Sequence, residues 1–151
     1  SGAPTAQNDM QKYIRAAVNA GLRVVTEGKY QKMFNNGLPV TNVRGQIASP
    51  ERLILLSRSG TVQPGEVDTL QMDFSVTRPP VKASYPTQKS EGLYKPIIRQ
   101  STHVGDEIAD AFAGSGMFGK VGVQLQRIVT MIEKSVAAFD NHIIPNLEQA
   151  F

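Results

Sequence analysis

Asp110-Ala111-Phe112-Ala113-Gly114-Ser115-Gly116 lies directly after a run of strand character, Glu107 to Ala111, and directly before a helical pattern that continues through Leu125. Glycines at such a junction let the backbone turn sharply and let a ligand approach the main-chain N–H groups of a helix N-terminus. Ile128 to Ile132 reads as the next strand, and Glu133 ends it. In nucleotide-binding α/β folds a carboxylate about 20 residues beyond the Gly turn accepts hydrogen bonds from ribose hydroxyls. The same residues also fit a tight βα turn with a solvated Glu, and a Gly-rich turn alone does not decide between the two. Strand, helix, strand in this order predicts a parallel sheet with helices packed on it, and a closing helix is expected from Val136 to Ile144.

Working outward, a helix is expected around Glu91 to Gln100, preceded by a Pro-containing extended connection that runs from Arg78-Pro79-Pro80 through Pro86. Leu70, Met72, Phe74 and Val76 alternate, which favours an extended segment with one buried face. Arg52-Leu53-Ile54-Leu55-Leu56 is apolar enough for a strand covered on both faces, while Asn35 to Pro39 and Arg44-Gly45-Gln46 read as loops. Near the start, Met10, Tyr13, Ile14, Ala17 and Val18 form the stripe of an amphipathic helix. Asn8 or Asp9 is positioned to cap it, Gly21 to end it, and Leu22-Arg23-Val24-Val25 to follow as a strand.

Composition narrows the chemistry. The chain has 151 residues, 40% of them hydrophobic and 19% charged, which suits one globular unit over 1–151. Cysteine is absent, so disulfides, thiolate metal sites and a cysteine nucleophile are excluded. The two histidines, His103 and His142, form no zinc signature. His103 is expected in a loop, and His142 to face solvent or cap the last helix. Ser57 and Ser59 have no histidine partner in view, and Asp68 and Asp73 no paired carboxylate at a useful spacing. A net charge of +3 and a pI near 9.3 tolerate a nucleic-acid partner without demanding one. Lys12, Arg15, Arg23, Lys29 and Lys32 could touch phosphate, but their spread also fits a solvated face. No apolar run approaches the roughly 20 residues of a membrane span, and Ser1-Gly2-Ala3-Pro4 does not read as a secretory leader. The expectation is an intracellular protein without a membrane partner.

Three segments in order carry a more specific signal. Tyr85-Pro86-Thr87-Gln88-Lys89-Ser90, then a helix, then Gly105-Asp106-Glu107-Ile108-Ala109-Asp110-Ala111-Phe112-Ala113-Gly114-Ser115-Gly116 resembles the DNA amino-methyltransferases that modify adenine N6 or cytosine N4. The likeness is to their circularly permuted group, in which His-Pro-Thr-Gln-Lys-Pro precedes Asp-Pro-Phe-x-Gly-Ser-Gly and the catalytic motif lies upstream of both. Gln126 to Glu133, followed by a helix bearing Phe139 and Ile143, looks like the family's second strand and ribose-binding acid. Pro50 to Arg58 resembles its late strands.

The resemblance implies an α/β fold: a partial Rossmann-like sheet of an S-adenosylmethionine-dependent methyltransferase with flanking helices, truncated or rearranged. Residues 1–80 would be its late-strand region and 85–151 its cofactor-binding-like region. It further implies S-adenosylmethionine as cofactor, with Asp110, Phe112, Gly114, Ser115 and Gly116 around the methionine part, Glu133 on the ribose, and Thr87 to Lys89 closing over it. DNA is the implied partner.

Departures from the family pattern bear on function. Ala111 and Ser90 replace two prolines, and Tyr85 stands where His is common. The catalytic tetrapeptide, Asp, Asn or Ser followed by Pro-Pro and Tyr, Phe or Trp, has no counterpart; Arg78-Pro79-Pro80-Val81 lacks both the hydrogen-bond-accepting first residue and the aromatic last one. With the strand of that motif missing, the sheet would leave unpaired groups at about 1–3 kcal/mol each. The strand at Glu107 to Ala111 is therefore expected to be buried on both faces. Its free edge is expected to be covered by Leu22–Val25, by Arg52–Leu56, by a second copy or by another chain. The leading expectation is a methyltransferase-like chain acting as a non-catalytic assembly or accessory protein, as a phage-type, virion-associated pseudoenzyme would. The alternatives are the S-adenosylmethionine-binding subunit of a split DNA methyltransferase, or a stand-alone binder of the cofactor.

Overall fold

The computed structural model describes residues 6–67, 70–77 and 89–151. Tyr85, Thr87, Asp68 and the Pro79-Pro80 pair lie outside these residues.

Helix α1 spans Ala6–Asn19 and carries the expected amphipathic stripe. Asn8 and Asp9 fall inside it and do not cap it, because the helix begins before them. Its end is as expected: the Gly21 N–H donates to the Val18 carbonyl at 3.0 Å and the Leu22 N–H to the Ala17 carbonyl at 2.9 Å, a Schellman closure. Strand β1, Arg23–Met33, runs antiparallel to β2, Glu51–Ser57, and parallel to β3, Asp73–Thr77, in the order β2-β1-β3. Strand β2 therefore lies at an edge, and its residues are half-buried or exposed. This corrects the expectation of a strand covered on both faces. Its leucines read as a central strand because apolar content alone does not say how many neighbours a strand has.

Helix α2, Glu91–Ser101, starts at Ser90, whose Oγ accepts the Gly92 N–H at 3.3 Å, a cap of the usual kind. It joins two cores. Leu93 packs with Tyr30 and Val76 against the three-stranded sheet, and Ile98 packs with Met117 and Val121 on the other side. Tyr94 touches both clusters, and its ring meets Phe118 edge-on at 5.5 Å.

The strand-helix-strand unit is parallel, as the order of elements predicts. Strand β4, Glu107–Asp110, leads through α3, Met117–Gln124, to β5, Ile128–Met131, with Glu107 opposite Ile128 and Asp110 opposite Met131. Its helix packs close because Gly122 faces the strands. A Cβ there would lie 2.7 Å from Val129 Cγ2 and 2.9 Å from Ile108 Cδ1, so Gly122→Ala should cost about 1–2 kcal/mol in a urea melt after its gain in helix propensity. Chain closure departs from a single helix: α4, Val136–Ala138, passes through a π turn, Phe139–Ile143, into α5, Ile144–Glu148. His142, expected to face solvent or cap, is half-buried in that π turn.

Strand β4 corrects a second expectation. It is half-buried on the face of Ile108 and Asp110 and exposed at Glu107 and Ala109. Neither internal candidate covers its free edge, because both segments belong to the separate β2-β1-β3 sheet, where they pair with each other. Among the described residues β4 pairs with β5 alone.

Candidate functional site

The Gly turn closes over the C-terminal ends of β4 and β5. Phe112 N–H donates to Asp110 Oδ1 at 2.9 Å, Ala113 N–H to the Ile132 carbonyl at 3.0 Å, and Gly116 N–H to the Ala113 carbonyl at 2.8 Å. Gly116 then caps α3 in the left-handed region, at a φ of 80°. From the far side, Asn146 Nδ2 donates to the Ser115 carbonyl at 2.6 Å, so α5 buttresses the turn.

Glu133 locks the turn to the end of β5. Its Oε2 accepts the Gly114 N–H at 2.7 Å and its Oε1 the Ser135 N–H at 2.9 Å. Those bonds from Ser135 and Gly114 hold its carboxyl below the usual range, so it is an anion at neutral pH with one lone pair per oxygen left for a ligand hydroxyl.

Together these loops and the start of α2 wall a cleft of about 510 Å³, within the roughly 300–1,000 Å³ usual for small-molecule sites. Of the residues singled out from sequence, Lys89, Phe112, Gly114, Ser115 and Glu133 line it. Asp110 and Gly116 shape the turn from behind without lining the cleft, and Thr87 lies outside the described residues. Phe112 is 91% exposed.

Five lining residues were not named as site residues from the sequence: Ala111 and Ala113 within the Gly turn, Ile132 at the end of β5, Tyr94 and Lys134. Lys134 adjoins Glu133, which was a usable signal. Tyr94 reads as one more core position on α2, and only its neighbours reveal a second role. Burial, with Asp110 and Glu51 nearby, pushes its hydroxyl up to about 12, so it stays a neutral donor.

Behind the Lys89 wall lies a cluster that sequence reasoning also missed. Glu51 opposes Tyr30 in the β1–β2 register and accepts from the Tyr30 hydroxyl, from Lys32 and, at 2.9 Å, from Lys89 Nζ. Burial alone would raise the Glu51 carboxyl, but the bonds from Lys32, Tyr30 and Lys89 outweigh it and bring it from 4.5 to about 2. A folded value below the unfolded one means that this stabilisation is complete above pH 4.5 and fades as pH falls toward 2. Urea melts between pH 6 and about 3 should show declining stability, with a shallower decline in Glu51→Gln.

Among the described residues, no group of three or more His, Cys, Asp or Glu side chains could hold a metal ion, and no helix is long and apolar enough to cross a membrane.

Comparison with known proteins gives the family and the fold. The family model for N6/N4 methyltransferases, described as DNA methylase, matches residues 4–143. No curated protein matches the chain. The structure of M1.HpyAVI in complex with SAM aligns with a TM-score of 0.71 at 22% identity, covering 93% of this chain and 68% of that one. PvuII DNA methyltransferase, cytosine-N4-specific, aligns with a TM-score of 0.70 at 14% identity, covering 99% of this chain and 65% of that one. At these identities the alignments speak to the fold, and this chain spans about two thirds of the length of either protein.

Proposed function

The chain belongs to the N6/N4 DNA methylase family, and from that premise we propose that it is the S-adenosylmethionine-binding portion of a DNA amino-methyltransferase. One observation carries the reading. The Glu133 carboxylate, fixed by the Gly114 and Ser135 N–H groups, faces a cleft beside a Gly turn that follows a parallel strand. A carboxylate at that place is what ribose hydroxyls require. Residues 1–151 are read as one domain, with 85–151 supplying the cofactor wall. Gly114 and Ser115 meet the methionine part, with Asp110 and Gly116 holding the turn from behind. Phe112 covers the rim and Lys89 closes the α2 side; Thr87, to which the resemblance gives the same part, lies outside the described residues. DNA is the substrate class, and the nucleus of the reaction is a methyl group moved from the cofactor sulfonium to an amino nitrogen.

Binding should depend on Glu133. Glu133→Ala is expected to weaken S-adenosylhomocysteine by roughly tenfold or more, since charge-assisted hydrogen bonds are the strong ones. Calorimetry that finds equal affinity for the variant and the unmodified protein would remove Glu133 from the site.

Chemistry on a base requires more than a cofactor cleft. The one Pro-Pro pair in the sequence is followed by Val81 and preceded by Arg78, so these 151 residues encode no polar-Pro-Pro-aromatic tetrapeptide. In our reading that motif comes from another stretch of polypeptide, and it docks at the edge of β4 that no described residue pairs. The 151-residue polypeptide by itself is therefore expected to leave DNA unmethylated. Labelled methyl groups appearing on adenine or cytosine with this polypeptide alone would contradict that. The same missing tetrapeptide favours a second reading, a non-catalytic accessory or assembly protein, in which the cleft binds cofactor but no added chain restores transfer.

A further inference from the structure

We propose that Glu51 is a positioning residue for the cofactor cleft: it fixes the Lys89 ammonium at the rim, where it meets the carboxylate of the cofactor's amino-acid end. This rests on reading the cleft as an S-adenosylmethionine site.

Glu51 lies on β2, away from the Gly turn, and does not line the cleft; Lys89 does. The bond between them, 2.9 Å from Lys89 Nζ to Glu51 Oε2, reaches across 38 residues of sequence. Glu51 is itself held. Its partner Tyr30 is 3% exposed and stacks on Phe74 with ring centroids 6.1 Å apart, so the carboxylate is anchored to the core of the three-stranded sheet. Lys89 is anchored at its other end by the adjoining Ser90 cap of α2. A long, four-carbon side chain is thereby held at both ends, which removes the rotamer entropy a free lysine would lose on meeting a ligand.

Charge counting shows why the tie does not silence Lys89. Lys32 and Lys89 bring two positive charges to one carboxylate, and the third donor, Tyr30, is neutral, so the cluster keeps a net positive charge. Lys134, the other lining cation, adjoins Glu133 in sequence and its charge acts on that carboxylate. Of the two cations that line the cleft among the described residues, Lys89 is the one that belongs to a net-positive cluster, and it is the one we assign to a ligand carboxylate.

Two ligands separate this role from a structural one. S-adenosylhomocysteine carries the amino-acid end; 5′-methylthioadenosine keeps the adenosine and thioether but has no carboxylate. Calorimetry on the purified protein should show Glu51→Gln and Lys89→Met each weakening S-adenosylhomocysteine by roughly tenfold, with 5′-methylthioadenosine unchanged. The double variant should be no weaker than Lys89→Met, since both act through one contact. Glu51→Asp, which keeps the charge but withdraws the carboxylate by one methylene, should show the same ligand selectivity and carries the test if Glu51→Gln does not fold. Equal weakening of both ligands, or additive losses in the double variant, would overturn the positioning role and leave the cofactor site standing. Absence of binding of either ligand to the unmodified protein would overturn the site itself.

Discussion

Arg127→Ala should lower stability by about 3–5 kcal/mol. The guanidinium is fully enclosed, and all three of its nitrogens donate, through four of its five N–H groups: Nε to Thr102 Oγ1 at 2.9 Å, Nη1 to the Leu125 carbonyl at 2.7 Å, and Nη2 to the Thr102 carbonyl at 2.8 Å and to Glu66 at 3.1 Å. It joins the entrance of β5 to the end of α2 and to the segment at Glu66 that crosses it. Truncation leaves the Leu125 carbonyl without its donor, at about 1–3 kcal/mol, takes one bond each from the Thr102 carbonyl, which keeps the Glu66 N–H at 3.1 Å, and the Thr102 hydroxyl, which still donates to the Ile98 carbonyl at 2.6 Å, and opens a cavity besides. A thermal melt should fall by roughly 10 °C, the usual conversion for a chain of about this length. Glu66→Gln should cost far less. Glu66 is partly exposed, and Arg127 keeps its other three bonds without it. Equal losses for the two variants would show that the ion pair, and not the enclosed hydrogen-bond set, holds this corner.

The second large effect is expected at Gly116, where one substitution should damage fold and site together. Its φ of 80° costs a side chain about 1–2 kcal/mol, and a Cβ there would sit 3.0 Å from Ile143 Cα and 3.1 Å from Ile143 Cγ1. Ile143 is 1% exposed and part of the π turn, so it cannot yield without moving α5 and the Asn146 bond to Ser115. Gly116→Ala should therefore lose about 2–3 kcal/mol and shift the turn out of line with Glu133. Gly21→Ala is the control: its φ is also positive, at 89°, but nothing lies within 4 Å of a Cβ there, so it should pay the backbone strain and spare ligand binding. Matching losses of affinity in both variants would mean that global stability, not the placement of the turn, governs the cleft.

What the sequence discloses and what it hides follow from how far each feature reaches. The β4, Gly turn, α3, β5 and Glu133 series is legible because its chemistry is local: a strand, a turn that only glycine suits, a helix start and an acid at a fixed distance. The extent of β1 is not. Glu27-Gly28-Lys29 interrupts its β-branched run, and the strand continues to Met33 only because β2 and β3 pair with it on both edges. Leu53 to Leu56 mislead for the converse reason: they alternate between the two faces of an edge strand and are all half-buried, with Leu53 packed against the Tyr30 cluster. Glu51 and Tyr94 owe their roles to partners tens of residues away. Arg127, flanked by Gln126 and Ile128, looks like any charge at the mouth of a strand until Thr102 and Glu66 are seen around it. The π turn at Phe139–Ile143 has no local signal either; it sits where Ile143 packs on Gly116.

The central claim is that the cleft between the Gly turn and Glu133 binds S-adenosylmethionine, and amide resonances read it directly. Titrating the isotopically labelled protein with S-adenosylhomocysteine should give saturable shifts concentrated at Gly114, Ser115, Lys134 and Ser135, with residues of β2 far from Glu51 unmoved. A titration in which no amide of the turn moves, or in which the shifts gather on a different face of the molecule, would contradict it.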